Sequence, residues 1–363
     1  MKKKIAIQTL FLHDNYGGIL QAFALQYYLE KRDFEVIHLN RYNKPGTLLK
    51  AKLFLHRIRY AAFYKMSYLN KDTFKGFINQ KINLSPALNS FSEWHKYISE
   101  QNFDAVIVGS DQVWRFEYVN HLLREFFLDF DKEVTKKLSY AASFGVENIG
   151  VENLMNVKNL LSNFDAASVR EIHSVIKLKE IGIEADHHLD PTLLLKKENY
   201  IELFDLNENL NNEEIFCYVL DKNSFKQQVI QEVAKIVDLK YTTVFGDTPN
   251  LDNYLDADII LKPKPEEWLQ KFLAAKYIIT DSFHGMIFSI IFNKKFLVIG
   301  NEQRGLSRFT SFLGQVNLMN RLILVGTNLP DCAAIKDEID YFAVNNFIEA
   351  ERKRSDAYFK KHL

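Results

Sequence analysis

The stretch that decides the fold is residues 277–285, which read Tyr277-Ile278-Ile279-Thr280-Asp281-Ser282-Phe283-His284-Gly285. A short apolar and β-branched run is followed by a polar turn, and apolar residues then recur toward Phe292 at helical spacing. This pattern predicts a buried strand that leads directly into a helix capped by Asp281 or Ser282. A strand followed by a helix in this way is the repeating unit of parallel α/β sheets.

Similar units surround this stretch in the second half of the chain. The predicted strands are Ile215 to Leu220, Tyr241 to Phe245, Tyr277 to Thr280 and Phe296 to Ile299, and the predicted helices are Phe225 to Val237, Glu266 to Ala275 and Phe283 to Phe292. Strands that alternate with helices indicate a parallel sheet covered by helices on both faces.

The first half of the chain repeats the pattern. Its predicted strands are Lys4 to Phe11, Phe34 to Leu39, Ala105 to Val108, Lys137 to Ala142 and Ala166 to Val169, with a helix through Leu20, Phe23, Ala24 and Tyr27. The polar stretch 207–212 reads as a linker. We therefore expect two Rossmann-like, doubly wound α/β domains facing a central cleft, over residues 1–195 and 213–332. The charged tail 333–363 is expected to be helical and to pack back on the first domain.

Composition excludes several function classes. The 363 residues carry 46 basic and 46 acidic side chains, so the protein has no net positive charge that would attract nucleic acid. The two cysteines, Cys217 and Cys332, are too few for a disulfide framework or a thiolate metal site. No stretch fits a signal peptide or a transmembrane helix, which predicts a cytoplasmic protein.

One segment departs from the charge balance. Residues 41–81, within a predicted helical insertion at about 41–102, contain ten Lys or Arg residues and a single acid, Asp72. Because aromatic and aliphatic residues are interleaved with the cations, the segment could contact an anionic membrane or a lipid-linked substrate. The alternative is a solvated helix packed through its apolar side.

Polar residues follow the first predicted strand. The turn His13-Asp14-Asn15-Tyr16-Gly17-Gly18 lacks the spacing of a dinucleotide-binding loop. Its two glycines would still let the backbone approach a ligand, with Asn15, Tyr16 and Gln21 supplying hydrogen bonds. A tight turn without a ligand explains the same residues.

Two further strand ends carry candidate residues. Ser110-Asp111-Gln112-Val113-Trp114 follows the strand at Ala105, where ligands of open α/β sheets bind. Asp111 could instead cap a helix and Trp114 could belong to the core. Arg170 ends another strand, where it can bind an anion through two hydrogen bonds or form a salt bridge with a carboxylate such as Glu171.

His284 lies in the first turn of the predicted helix after Thr280. The free amides and positive dipole at such a helix start suit a phosphate group. An imidazole beside them can exchange a proton with a substrate near neutral pH. A histidine that only satisfies a backbone carbonyl is the alternative.

Taken together, these motifs resemble the polysaccharide pyruvyl transferase family over roughly residues 5 to 315. The resemblance rests on Asn15-Tyr16-Gly17 with Leu20-Gln21-Ala22, Val108-Gly109-Ser110-Asp111-Gln112-Val113-Trp114, Ser139-Tyr140-Ala141-Ala142-Ser143-Phe144-Gly145, Ser168-Val169-Arg170-Glu171, Asp190-Pro191-Thr192 and Thr280-Asp281-Ser282-Phe283-His284-Gly285. It implies a two-domain fold like the glycosyltransferase type called GT-B. It also implies transfer of a pyruvyl group from phosphoenolpyruvate, as co-substrate, to a sugar hydroxyl pair of a cell-surface polysaccharide precursor, with no metal and no bound cofactor.

The resemblance also assigns roles to residues. His284 matches the family's histidine and would be catalytic. The donor would be bound by Arg170, Ser282, Phe283, Gly285, Arg304 and Arg308, and the acceptor by Asn15, Tyr16, Gly17, Gln21, Asp111, Gln112 and Trp114. Some family members have an arginine where this chain has Ser282, so Arg304 or Arg308 would supply the second anion-binding group. A nucleotide-sugar glycosyltransferase and a non-catalytic glycan-binding protein are the alternatives.

Overall fold

The first domain is built on a parallel sheet. A computed structural model describes residues 2–41, 72–119, 122–131, 135–220, 222–246, 262–300, 305–327 and 332–363. The strands β1 (Lys4–Gln8), β2 (Glu35–His38), β3 (Ala105–Val108) and β4 (Lys136–Ser139) lie in the order β2-β1-β3-β4. A short parallel pair, β5 (Ser168–Val169) and β6 (Asp186–His187), continues beyond β4 through bridges such as Ala142 to Val169.

The strand predictions for this half hold in position and are too long at their ends. β1 ends at Gln8 rather than Phe11, and β4 ends at Ser139 rather than Ala142. In the second case the cause is visible, because Ala141 has a φ of 50° and leaves the extended conformation.

Helices cover both faces of this sheet. Within the described residues they are α1 (Tyr16–Glu30), α2 (72–81), α3 (Phe91–Gln101), α4 (Phe116–Val119), α5 (Leu123–Phe126), α6 (Val151–Leu161) and α7 (Ile172–Glu180). Most of the basic segment lies at 42–71, outside the described residues. Its first cation, Arg41, is buried and ion-paired with Glu125 at 2.7 Å, so this charge does not reach the surface.

The second domain contains a longer parallel sheet. Its strands are β7 (Asn212–Val219), β8 (Lys240–Phe245), β9 (Ala275–Thr280), β10 (Lys295–Gly300) and β11 (Leu322–Leu324), in the order β11-β10-β9-β7-β8. The helices are α8 (Lys197–Phe204), α9 (Ser224–Val237), α10 (Pro265–Ala274), α11 (Phe283–Ile291), α12 (Ser307–Gln315) and α13 (Cys332–Lys336). Short 3-10 turns occupy Pro191–Leu194 and Met319–Arg321.

Apolar packing joins the two domains. Tyr16, at the start of α1, stacks on Trp268 of α10 with ring centroids 4.7 Å apart, and both rings are fully buried. The Tyr16 hydroxyl donates to the backbone oxygen of Pro263. One core cluster therefore runs from α1 into the second domain, and removal of either ring would open a cavity at the interface.

The final helix, α14 (Tyr341–His362), packs against the first domain. The Tyr358 hydroxyl donates to the backbone oxygen of Ser139 at 2.7 Å. Arg352 donates to the backbone oxygens of Leu193 and Leu195 at 2.7 and 2.9 Å, at the end of the 3-10 turn 191–194. None of the described helices is both long and apolar enough to cross a membrane.

The strand order creates a switch point in each sheet. β2 and β3 lie on opposite sides of β1, and β8 and β9 lie on opposite sides of β7. The connections after the central strands then leave toward opposite faces of the sheet, and ligands of α/β proteins bind in the crevice between them.

Candidate active site

A cavity of about 350 Å³ lies between the two switch points. It is lined from the first domain by Leu10, Asp14, Asn15, Asp111, Gln112 and Tyr118, and from the second domain by Tyr218, Leu220, Gly246, Lys262, Ser282, Phe283, His284 and Arg308. A wider cavity of about 720 Å³ lies on α3, the loop at 129–131 and Lys137 at the start of β4, so it is at the amino end of that strand and not at the carboxyl ends where ligands of α/β sheets bind. There Arg124 is already ion-paired with Asp129, so the interdomain cavity is the better candidate site.

His284 reaches this cavity from the first turn of α11. Its Nε2 atom lies 3.4 Å from Oδ2 of Asp190, which is a long charge contact rather than a well-formed hydrogen bond. Both side chains are buried, although they belong to different domains. The Nε2 edge of the imidazole therefore connects the second domain to a carboxylate of the first.

Asp190 is held from several directions. Its Oδ1 accepts hydrogen bonds from the backbone amide and hydroxyl of Thr192, and its Oδ2 accepts from Arg170 Nη1 at 2.7 Å and from Ser110. Burial alone would raise the pKa of Asp190, but His284, Arg170 and the Thr192 amide lower it well below its usual range. Asp190 is therefore a fixed carboxylate that orients the imidazole.

Gly17 makes the approach of His284 possible. A Cβ atom at position 17 would lie 2.0 Å from Nδ1 and 2.4 Å from Cγ of the imidazole. The histidine ring thus rests directly on the backbone of α1, in space that any other residue would fill. Within the motif Asn15-Tyr16-Gly17, Tyr16 and Gly17 therefore pack against residues of the second domain.

The start of α11 has the predicted capping geometry. The Ser282 hydroxyl accepts from the Gly285 amide at 3.3 Å, which identifies Ser282 as the N-cap. Asp281 is instead ion-paired with Lys226 and accepts from the Leu220 amide. Gly285 is required for packing, because a Cβ there would lie 2.3 Å from Thr280 Oγ1.

The two predicted arginines take different positions. Arg308 lines the cavity, and its guanidinium lies 5.4 Å from the ring centroid of Phe283. Burial and the charge of Arg170 lower the pKa of Arg308 to about 10, against opposing contributions from Asp111, Glu171 and Tyr118. Its Nε donates to the backbone oxygen of Gly305 at 3.3 Å, and its Nη1 lies 3.9 Å from Oδ1 of Asp111, a longer charge contact than that between Arg170 and Asp190.

Arg170 lies behind the cavity wall rather than on it. Its side chain is 3% exposed, pairs with Asp190, and lies 3.7 Å from Asp111 and 3.6 Å from Glu171. The charge of Arg170 is therefore already balanced by carboxylates of the protein. The sequence predicted that Arg170 contacts the donor, whereas in the structure it contacts these carboxylates. Arg170 supports Asp190 in this arrangement, and Arg304 lies outside the described residues.

A sequence comparison gives the family. The family model described as polysaccharide pyruvyl transferase matches residues 15–303, which is most of the chain. The chain belongs to the polysaccharide pyruvyl transferase family. It is accordingly a transferase, and the resemblance inferred from its motifs is confirmed. No curated protein sequence matches it significantly.

Solved structures confirm the fold class of this pyruvyl transferase family member. It is similar to the UDP-GlcNAc 2-epimerase from Methanocaldococcus jannaschii, with a TM-score of 0.52, 15% identity and 93% of each chain covered. A putative UDP-N-acetylglucosamine 2-epimerase from Listeria monocytogenes gives a TM-score of 0.52 at 13% identity, covering 97% of this chain and 91% of that one. An alpha-glucosyltransferase bound to UDP and DNA gives 0.51 at 10% identity, covering 100% and 96%. At these identities the likeness shows a two-domain, GT-B-like α/β fold.

The predicted acceptor residues of this transferase divide into two groups. Asn15, Asp111 and Gln112 line the cavity. Trp114 is fully buried and donates to the backbone oxygen of Phe126, and Gln21 is buried with its amide bonded to Thr9 and Gly18. The predicted acceptor residues Tyr16 and Gly17 also do not line the cavity, because Tyr16 is buried against Trp268 and Gly17 lies under the His284 ring. The acceptor prediction is therefore wrong for Trp114, Gln21, Tyr16 and Gly17, whose positions serve packing within the core and between the domains.

Three residues that line the cavity or contact its lining could not be identified as site residues from the sequence. Asp190 appeared within the family motif Asp190-Pro191-Thr192 without a role, because its partner His284 comes from the other domain. Lys262, whose Nζ donates to the backbone oxygen of Asp14, precedes α10 without a motif. Tyr118 lies four residues after Trp114, and only the fold distinguishes the buried ring from the exposed one.

Proposed function

We propose that this protein transfers the pyruvyl group of phosphoenolpyruvate to two hydroxyls of a sugar, forming a ketal and releasing phosphate. The observation that carries the proposal is His284, oriented by Asp190 at the N-terminus of α11 and beside Arg308 in the interdomain cavity. Family membership supports the same reaction.

Phosphoenolpyruvate has two anionic groups, and the cavity offers two kinds of anion partner. Arg308 supplies a fork of N–H donors for a carboxylate or phosphate. The first-turn amides of α11 add backbone donors and the positive end of the helix dipole. The amides of Ser282 and Gly285 are already bonded to the Thr280 and Ser282 hydroxyls, so these two residues shape the helix start, and Phe283 and His284 supply its remaining first-turn amides.

The chemistry requires a proton at the carbon end of the donor. In the proposed reaction His284 protonates the methylene carbon of the enol, which leaves an electron-poor centre at the adjacent carbon. One sugar hydroxyl attacks that centre and gives its proton to the imidazole. The second hydroxyl then displaces the phosphate, which leaves with the remaining proton, and the ketal closes.

The test combines donor and product measurements. Purified protein is incubated with phosphoenolpyruvate and a panel of free and lipid-linked glycans, and released phosphate is measured with the mass and charge of the glycan product. We expect phosphate release matched by a glycan that gains a carboxylate. His284→Asn should lower turnover by roughly 10²–10⁴-fold with little change in donor affinity. Failure of the wild-type protein to release phosphate with every acceptor would contradict the proposal.

A nucleotide-sugar glycosyltransferase is the second candidate, favoured by the likeness in fold to the alpha-glucosyltransferase that was solved in complex with UDP. A diphosphate would also suit a helix start in an interdomain cleft. Replacing phosphoenolpyruvate by UDP-sugars in the same assay separates the two, because glycosyl transfer adds a sugar residue and no carboxylate.

We also propose that the basic segment 41–81 brings the enzyme to a membrane-attached acceptor. The charges to test are Lys50, Lys52, Arg57 and Arg59, all outside the described residues. Their replacement by Gln should weaken liposome binding in low salt and leave turnover of a soluble acceptor intact. Absence of liposome binding by the wild-type protein at every salt concentration would contradict this role.

A further inference from the structure

Tyr118 is the aromatic residue that the cavity exposes on its first-domain side. Trp114, four residues earlier and before the start of α4, is 0% exposed, whereas Tyr118 is 47% exposed and lines the cavity. A tyrosine ring presents a large apolar face together with a polar hydroxyl, and recognition surfaces are enriched in tyrosine for that reason.

The ring of Tyr118 is supported on one side. The guanidinium carbon of Arg115 lies 4.5 Å from the ring centroid. Arg115 is itself fixed, because it donates to Oε1 of Gln112 at 2.8 Å and pairs with Glu117 at 3.2 Å. This contact restricts the Tyr118 side chain before any ligand arrives, which lowers the entropy cost of binding.

The ring also lies close to the anion-binding end of the cavity. Tyr118 and Arg308 both line this one cavity. Gln112 and Asp111 line the wall between the first domain and Arg308. An apolar face, hydrogen-bonding groups and a cation are thus arranged around one space.

We propose that Tyr118 is the stacking platform for the pyranose ring of the acceptor. The C–H groups on one face of the sugar pack on the electron-rich face of the phenol, and its hydroxyls face Gln112 and Asp111. The sugar then sits beside a donor anion held by Arg308. Which hydroxyls react rests on the proposed function, whereas the stacking contact does not.

The test measures sugar binding without turnover. Methyl β-D-glucopyranoside is a suitable probe, because its ring hydroxyls are equatorial and its C–H bonds are exposed on both faces. Saturation-transfer NMR and titration are applied to the wild-type protein and to Tyr118→Ala, Tyr118→Phe and Tyr241→Ala. Tyr241 is the matched control, since it is 43% exposed on β8 and does not line the cavity.

We expect Tyr118→Ala to weaken binding of the probe by about tenfold or more, which is the order of one aromatic contact plus its buried area. Tyr118→Phe keeps the ring face and should stay within about twofold of the wild type, as should Tyr241→Ala. Equal losses in the Phe and Ala variants would show that the hydroxyl and not the ring face binds the sugar. That result, unchanged binding in Tyr118→Ala, or no binding by the wild type would each overturn the platform.

Failure of this inference is distinguishable from failure of the proposed reaction. If probe binding depends on the Tyr118 ring but phosphoenolpyruvate is never consumed, the platform stands and the donor is wrong. If phosphate is released with a glycan acceptor and Tyr118→Ala leaves its KM unchanged, the reaction stands and the platform is wrong.

Discussion

Two adjacent glycines allow a stringent test of the site, because only one of them touches His284. Gly17 and Gly18 both lie in the first turn of α1. A Cβ added at Gly17 would meet the His284 ring at 2.0 Å, whereas a Cβ at Gly18 would meet only Asn15 atoms at 3.7 Å or more. Gly17→Ala and Gly18→Ala therefore make the same change in the same helix with different consequences for the imidazole.

The expected size follows from these distances. Carbon and nitrogen atoms that are not bonded rarely approach within about 3.4 Å, so Gly17→Ala must move the ring by more than about 1 Å. A displacement of that size in a reacting group typically costs about 10²-fold in rate. Gly18→Ala should leave turnover within about twofold and raise the free energy of unfolding by roughly 0.5–1 kcal/mol, the usual gain for alanine over glycine in a helix.

The assay is phosphate release from phosphoenolpyruvate, with the melting temperature measured on the same preparations. The imidazole NMR signals of His284 give a second readout that does not depend on the donor. They should shift in Gly17→Ala and remain in place in Gly18→Ala. A folded Gly17→Ala protein with normal turnover and an unshifted His284 signal would refute the arrangement of the ring on the backbone of α1.

Two further predictions concern buried groups. Arg170→Lys should lower turnover more than it lowers donor affinity, because lysine cannot replace the hydrogen bond that the Arg170 guanidinium donates to Asp190. Steady-state kinetics and donor titration measure the two quantities. A larger loss of donor affinity would show that Arg170 contacts the donor directly. Burial lowers the pKa of His38 to about 3 in the folded protein, whereas the same side chain in the unfolded chain takes up a proton below about pH 6.5. Protonation therefore favours the unfolded state, and the free energy of unfolding falls as the pH drops from about 6.5 toward 3. His38→Leu should lose about 2 kcal/mol less than the wild type between pH 6.5 and 5 in urea unfolding, and equal losses would contradict the assignment.

The fold was largely predictable because strands buried on both faces have unmistakable apolar runs. Ala105–Val108 and Ala275–Thr280 are of this kind, and the structure shows strands at both places. The positions of the candidate site followed from the same pattern, since polar residues after parallel strands gather at one edge of a sheet. Strand ends were less accurate, because features such as the positive φ of Ala141 depend on tertiary contacts.

Side-chain roles were harder to predict, because they depend on which domain supplies the partner. Trp114 and Tyr118 have similar local contexts, but one fills the core and the other faces the cavity. Arg170 was placed correctly at a strand end, whereas its pairing with Asp190 joins segments that the sequence does not connect. A strand-end arginine therefore predicts an anion partner without showing whether that partner is a ligand or a carboxylate of the protein.

The location of the His284 contacts has a consequence for how the site is assembled. The imidazole belongs to the second domain, whereas Asp190 and the backbone of Gly17 belong to the first. The contact between His284 and Asp190 therefore exists only when the two domains keep their relative position, and a small rotation at the interface would separate the imidazole from the carboxylate. Arg352 of α14 bonds to backbone oxygens at the end of the 3-10 turn that Asp190 begins. The last helix thus fixes the carboxylate side of the pair, while the packing of α1 against α10 and α11 fixes the imidazole side.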